Sequence, residues 1–167
     1  MKQSTLFSVF RLYMMVALSL PAYSQTDEAK NIKMVETYWT EEWNKGNLLA
    51  VSDFYHTNAK HGEGFTIEGF QKNVASQREA FPDFKVIIND IFATGNKVVC
   101  EVTHTGTHTG RKMFKQEPLG KTVTVPGIDI FTFKDGKCIQ HQHVADHLDL
   151  MLQMGIQLTP TTQDKKD

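Results

Sequence analysis

Asp135-Gly136, set between two runs of β-branched and aromatic residues, is the feature that most limits what this chain can fold into. Ile128-Asp129-Ile130-Phe131-Thr132-Phe133 precedes it, and Cys138 to Ala145 follows. Both central residues of a two-residue hairpin turn need φ > 0, which Gly adopts freely and Asp tolerates, so the pair predicts a β-hairpin. Alternation then puts His141 and His143 on one face of the return strand, and Asp146 closes that strand before a helical pattern. A terminal strand that carries imidazoles in place of Val or Ile reads as a pocket wall. Half-exposed surface histidines are the competing reading. Folding about the turn brings Asp129 and His143 close to cross-strand positions on the same face, near enough to interact.

The start of the chain has a different character. Lys2 and Arg11 precede and flank a short apolar run, Leu12 to Leu20, and Ala22-Tyr23-Ser24 supplies small residues at the positions a signal peptidase reads. The run is too short to span a bilayer. Residues 1–24 are therefore expected to be a signal peptide cut after Ser24, which makes the mature protein secreted or periplasmic, with no membrane attachment. What remains is one domain over 25–156 and a polar tail over 157–167, in a chain of 167 residues. A net charge of −1 gives no argument for a nucleic-acid partner. Eleven Phe, four Tyr and two Trp are enough aromatic bulk to line a cavity or to fill an ordinary core. Export would put Cys100 and Cys138 in an oxidising place. In a strand meander, however, they sit on strands flanking a third, about 9–10 Å apart, beyond the reach of a disulfide. Both are read as buried free thiols.

Taken in order, Asp27 to Asn44 reads as an amphipathic helix with Ile32, Val35, Tyr38, Trp39 and Trp43 inward and Lys30, Lys33, Glu36, Glu41 and Glu42 between them. Tyr38, Trp39 and Trp43 are expected to pack this helix onto the sheet. Leu48 to Phe54 is a short second helix, Tyr55 to Gly64 a loop with His56 and His61, and Glu68 to Phe81 a third helix stopped by Pro82. Strands follow over 84–93, 98–110, 121–133 and 137–146, and Leu148 to Met154 forms a last helical turn. Helices first, then a run of antiparallel strands, is an α+β layout: a curved antiparallel sheet packed against N-terminal helices, with a cone between them that can hold a small molecule.

The blocks Glu79-Ala80-Phe81-Pro82-Asp83-Phe84, Gly106-Thr107-His108-Thr109-Gly110, Gly127-Ile128-Asp129-Ile130-Phe131 and Asp135-Gly136-Lys137, with Asp146 and Met154-Gly155, resemble the SnoaL-like polyketide cyclases, also called predicted ester cyclases. Trp43-Asn44-Lys45-Gly46-Asn47 fits as well. The resemblance runs from Asn31 to Gly155. It implies the cone-shaped nuclear-transport-factor-2-like fold, a cofactor-free enzyme that closes a ring by intramolecular aldol chemistry, an aspartate acid/base assisted by a histidine, and sheet-to-sheet homodimers. One departure stands out. Where the family has Glu-His-Trp on the last strand, this chain has Gln140-His141-Gln142-His143, which points to a smaller or more polar ligand than a polyketide.

Aldol or isomerisation chemistry needs a base for the proton beside a carbonyl and a donor for the developing enolate oxygen. Asp129, His143 and Asp146 are the candidate catalytic residues, although Asp146 also stands where a helix N-cap belongs. His61, His104, His108, His141 and Gln142 are the candidate substrate contacts. His141, His143 and Asp146, completed by His104 or His108, also have the look of a cupin-type metal set. The spacing of glycines and carboxylates differs from that pattern, and no metal or other cofactor is expected. A non-catalytic module for binding a small ligand or for dimerisation stays open, because function does not follow from fold.

Overall fold

The computed structural model describes residues 25–157 apart from 63; the expected leader, and the tail beyond 157, lie outside the described residues. Helix α1 (Gln25–Thr37) runs straight into a π-helical segment, Tyr38–Asn44. Then come α2 (Ala50–Phe54), β1 (Tyr55–Lys60), α3 (Ile67–Ala80), β2 (Lys85–Thr94), β3 (Lys97–Thr107), β4 (Thr122–Lys134), β5 (Lys137–Ala145) and α4 (His147–Gln153). The strands form one sheet in the order β1-β5-β4-β3-β2, with helices on its inner face: the expected α+β layout.

β1 corrects the loop expected over 55–64. It adds to the sheet edge parallel to β5, with Tyr55 opposite Cys138, Lys60 opposite Gln140 and an irregular register between. Only Tyr55 and Ala59 of this strand are buried, so its sequence lacks the alternation that would announce it. Its strand state follows from tertiary context.

The hairpin forms as its turn residues dictate. Asp135 and Gly136 have φ of 51° and 71°, both left-handed, and β4 pairs antiparallel with β5 so that Asp129 faces His143 and Phe131 faces His141. A bulge beside Thr132 and Phe133 takes up Ile139, which lets Cys138 and His141, three residues apart, both be buried. Cys100 on β3 and Cys138 on β5 are buried and free, with β4 between them.

The π-helical segment brings the second correction. Its Lys45 N–H donates to Thr40 O at 3.1 Å, five residues back, and this wider turn shifts which side chains face inward. Tyr38 and Trp39 are buried as expected, but so is Glu42, at 0% exposure. Arg78 holds the segment's end by donating from Nη1 to the carbonyls of Trp43 (2.6 Å) and Asn44 (3.2 Å). Asn44 in turn brackets Val86, donating to its carbonyl at 3.0 Å and accepting its N–H at 2.7 Å, which ties the segment to β2. Phe131, fully buried, sits beneath it among the rings of Tyr38, Trp39 and Phe54.

Two of the sequence blocks have structural jobs. Asp83 accepts the Thr107 N–H at 2.6 Å and its hydroxyl at 2.7 Å, fastening the end of β3 to the turn after α3. Gly110 lies so close to α3 that a Cβ there would meet Glu79 O at 1.7 Å, and its N–H donates to Ala80 O at 3.1 Å. This docking satisfies carbonyls that the C-terminus of α3 would otherwise leave orphaned.

Candidate active site

Between the inner face of β3–β5, the π-helical segment and α3 lies a cavity of about 540 Å³. Trp39, Trp43, Phe65, Phe70, Phe81 and Phe84 give it aromatic walls, and Asp129, His61, His104, His141, His143 and His147 its polar ones. Among the described residues, no lysine or arginine lines it.

Its chemistry centres on Asp129, which β4 holds in mid-strand at 0% exposure. One carboxylate oxygen, Oδ1, faces two imidazoles: His141 Nε2 at 2.6 Å and His143 Nδ1 at 2.9 Å. The other, Oδ2, is buried with no partner among the described residues. Burial alone would raise the Asp129 pKa, but the hydrogen bonds and charge interactions from the two histidines outweigh it and hold the carboxyl below its ordinary range. An ionised carboxylate only accepts, so both histidines present N–H groups to it.

The two histidines then differ. His141 is 4% exposed and stacked between Phe131 and His61, at ring-centroid distances of 4.2 and 4.3 Å. Burial pushes its pKa down to about 4 against the pull of Asp129, so the ring is neutral at pH 7. With Nε2–H committed to Asp129, its Nδ1 must accept, and the Tyr55 hydroxyl lies 2.6 Å away to donate. Burial also raises the Tyr55 pKa well above its ordinary value, which keeps that proton in place. Both nitrogens of His141 are thus occupied. His143 keeps its Nε2 without a hydrogen-bond partner among the described residues, and its side chain is 28% exposed at the cavity wall.

The remaining predicted residues divide. His61 lines the cavity and donates from Nδ1 to His141 O at 3.1 Å; burial lowers its pKa. His104 lines it beside His143, at 5.5 Å between ring centroids, with its pKa pushed down to about 4 by burial and then by His143. Gly127 makes room for that ring, since a Cβ there would come within 2.9 Å of His104 Cε1. His108 is a correction: it lies just past the end of β3, buried against Phe81 and hydrogen-bonded through Nε2 to Arg111 O at 2.9 Å, away from the cavity. Gln142 also falls outside it, exposed on the opposite face of β5 as alternation requires. Asp146 is absent from the cavity too; it caps α4, accepting the Asp149 N–H at 2.9 Å. The cupin-like metal set is consequently not brought together, and no group of three or more metal-ligating side chains converges among the described residues. His147, which is not among the residues expected from sequence, does line the cavity, 6.4 Å ring to ring from His143. Its signal was its place directly after the predicted cap, where the first residue of a helix turns back over the preceding strand.

Comparison with known proteins places this geometry. TsrD from Streptomyces laurentii superposes with a TM-score of 0.71 at 24% identity, covering 77% of this chain and 97% of that one. A SnoaL-like protein from Jannaschia sp. CCS1 gives 0.71 at 22% identity, covering 81% and 98%. A polyketide cyclase-like protein from Bacillus cereus ATCC 10987 gives 0.65 at 26%, covering 83% and 89%. Likeness at such identities speaks for the fold. No curated protein sequence matches significantly. The sequence model of one family, however, matches residues 33–154, most of the chain and all of the cavity's strands, and on that match the chain belongs to the SnoaL-like polyketide cyclases.

Proposed function

We propose that this protein is a cofactor-free cyclase- or isomerase-type enzyme acting on a small, uncharged carbonyl compound, with His143 as the group that exchanges protons with it. Family membership supports the reaction class. The observation that carries the assignment is the asymmetry at Asp129: one buried carboxylate oxygen serves both histidines, and only His143 has a ring nitrogen to spare at the cavity wall.

In this reading His143 Nε2 removes a proton from the carbon beside a ligand carbonyl, leaving an enolate. The imidazolium so formed is stabilised by Asp129, which does not itself meet the ligand. In a cyclisation the enolate carbon attacks a second carbonyl of the same molecule, and His143 returns the proton to the new alkoxide. In an isomerisation it returns the proton to a different carbon. His147, and the amides of Asn73 and Gln77 on the α3 wall, supply donors for the developing oxygen. A lining without lysine or arginine among the described residues, and with aromatic walls, favours a neutral ligand over a carboxylate or phosphate.

The test is turnover of a panel of diketones and keto esters by the protein and by His143→Ala, with folding checked by circular dichroism. Turnover that disappears in a folded His143→Ala supports the assignment. Unchanged turnover removes His143 from the mechanism, and binding without turnover in both proteins favours a ligand-binding module.

Two further properties belong to the same reading. We place the mature protein outside the cytoplasm on the sequence of residues 1–24 alone; an intact mass that retains Met1 on a cytoplasmic protein overturns this. We also propose a homodimer through the outer sheet face, where Ile87, Phe92, Ile128 and Val144 are exposed with Glu101 and Lys97 among them, charges that a two-fold copy sets against each other. Light scattering that finds a dimer in wild type and a monomer in Ile128→Lys/Val144→Lys supports it, and a monomeric wild type contradicts it.

A further inference from the structure

We propose that Tyr55 and His141 form a fixed brace behind Asp129, a pair of positioning residues whose hydrogen bonds leave His143 as the one histidine of the pair free to exchange a proton. The proposal rests on the proton-transfer reading above and deepens it by dividing the work between two imidazoles that look equivalent in sequence. Neutral imidazole has one N–H and one lone pair, and a carboxylate has no proton to give. His141 spends its N–H on Asp129 Oδ1 at 2.6 Å, so its lone pair is filled by the Tyr55 O–H at 2.6 Å, the much shorter of that hydroxyl's two contacts, the other being the Tyr38 hydroxyl at 3.4 Å. That leaves nothing on the ring for a ligand.

Packing enforces the same result. Phe131 and His61 lie nearly parallel to the His141 ring on its two sides, at interplanar angles of 24° and 22°. The ring cannot swing toward the cavity without unstacking both. The titratable groups that face it come from every neighbouring element: Tyr55 from β1, Tyr38 from the π-helical segment, His61 from the loop before α3, Asp129 from β4 and His143 from its own strand. Of these, Tyr55 and Asp129 touch its two nitrogens. β1, the strand that the sequence hides, therefore has a purpose at the site: it delivers the Tyr55 hydroxyl to the far side of His141.

Histidine-selective nitrogen NMR of the labelled protein tests this without any substrate. His141 is expected as the Nε2–H tautomer throughout the neutral pH range, with its Nε2 proton far downfield because the bond to Asp129 is short. Tyr55→Phe keeps the ring and removes the hydroxyl; the Nε2–H tautomer is expected to persist, because Asp129 can only accept, while the His141 Nδ1 resonance moves downfield as its lone pair loses its donor. An Nδ1–H tautomer for His141 in the wild type overturns the proposal, as does a Tyr55→Phe spectrum identical to wild type. If Tyr55→Phe does not fold, the wild-type tautomer decides alone. The outcome is separable from that of the functional reading. A brace seen by NMR, together with undiminished turnover in His143→Ala, refutes the catalytic role and leaves the brace standing.

Discussion

Asp129 and Glu42 are both carboxyl groups at 0% exposure, and they meet opposite fates. Asp129 sits on β4 with two imidazoles at one oxygen, and they hold its pKa below the ordinary range against burial. Glu42 sits in the π-helical segment with both oxygens unpartnered among the described residues, and burial pushes its pKa up to about 9. Burial is common to the two; the donors are what differ. A buried carboxyl keeps its charge only where the fold provides N–H groups for it, and otherwise keeps its proton. The cavity wall is where this fold has placed a negative charge, and the helix–sheet core is where it avoids one.

Substitution should separate the two regions most widely. Asp129→Leu leaves the buried His141 N–H, and that of the part-exposed His143, facing an apolar side chain and is expected to cost about 3–5 kcal/mol of stability. Glu42→Met fills the same space without an orphaned polar group and is expected to stabilise the protein at pH 7 by about 1–3 kcal/mol. Denaturant unfolding of the two variants checks both. If both substitutions destabilise equally, the distinction drawn here is wrong.

The pH dependence sharpens the contrast and has a definite sign. Unfolded Glu42 ionises near 4.5 and folded Glu42 near 9, so between those values the folded state holds the extra proton. Stability from this group is present below about pH 4.5 and falls as pH rises, by about 1.4 kcal/mol per pH unit at the steepest. His141 works the other way. It ionises near 6.5 when unfolded and near 4 when folded, so its contribution is complete above 6.5 and is lost as pH falls toward 4. Asp129, with its lowered pKa, adds to the loss in still stronger acid. Glu42→Gln should abolish the alkaline decline, keep the acid one and move the pH of greatest stability upward. Unfolding curves taken across the pH range measure all three.

The smallest expected effect concerns the thiols. Burial pushes both Cys100 and Cys138 up to about 12, so neither should react with a thiol reagent until the protein unfolds. Cys100 is the cross-strand neighbour of Asp129 on the adjacent strand and Cys138 feels Glu42, so both regions are reported. Rapid labelling of one thiol in native protein would show that its region opens locally.

What could be read from the sequence follows the same local logic. The Asp135-Gly136 turn and two-residue alternation are enough to pair Asp129 with His143, because both act over a few residues. Alternation also puts Gln142 outside, a conclusion that the family comparison at that position obscured. Glu42 could not be placed by helical spacing, since the helix changes to the wider π turn just where it matters. Tyr55 was hidden because β1 is held as a strand by the neighbour it pairs with. His108 and Asp146 carried plausible chemistry in sequence, yet one holds a loop and the other caps a helix. The family blocks mark backbone fastenings such as Asp83 and Gly110 as much as they mark a site.

The most direct test of the account is hydrogen–deuterium exchange at the carbon beside a carbonyl, followed by NMR in heavy water across a panel of diketones and keto esters. It requires proton removal only, and so does not depend on knowing the final product. The account predicts that the wild type and Glu42→Gln accelerate exchange of at least one compound equally, while folded His143→Gln loses most of that acceleration, about 10²-fold or more. Exchange that survives in His143→Gln, or an absence of exchange with every compound in all three proteins, would contradict it.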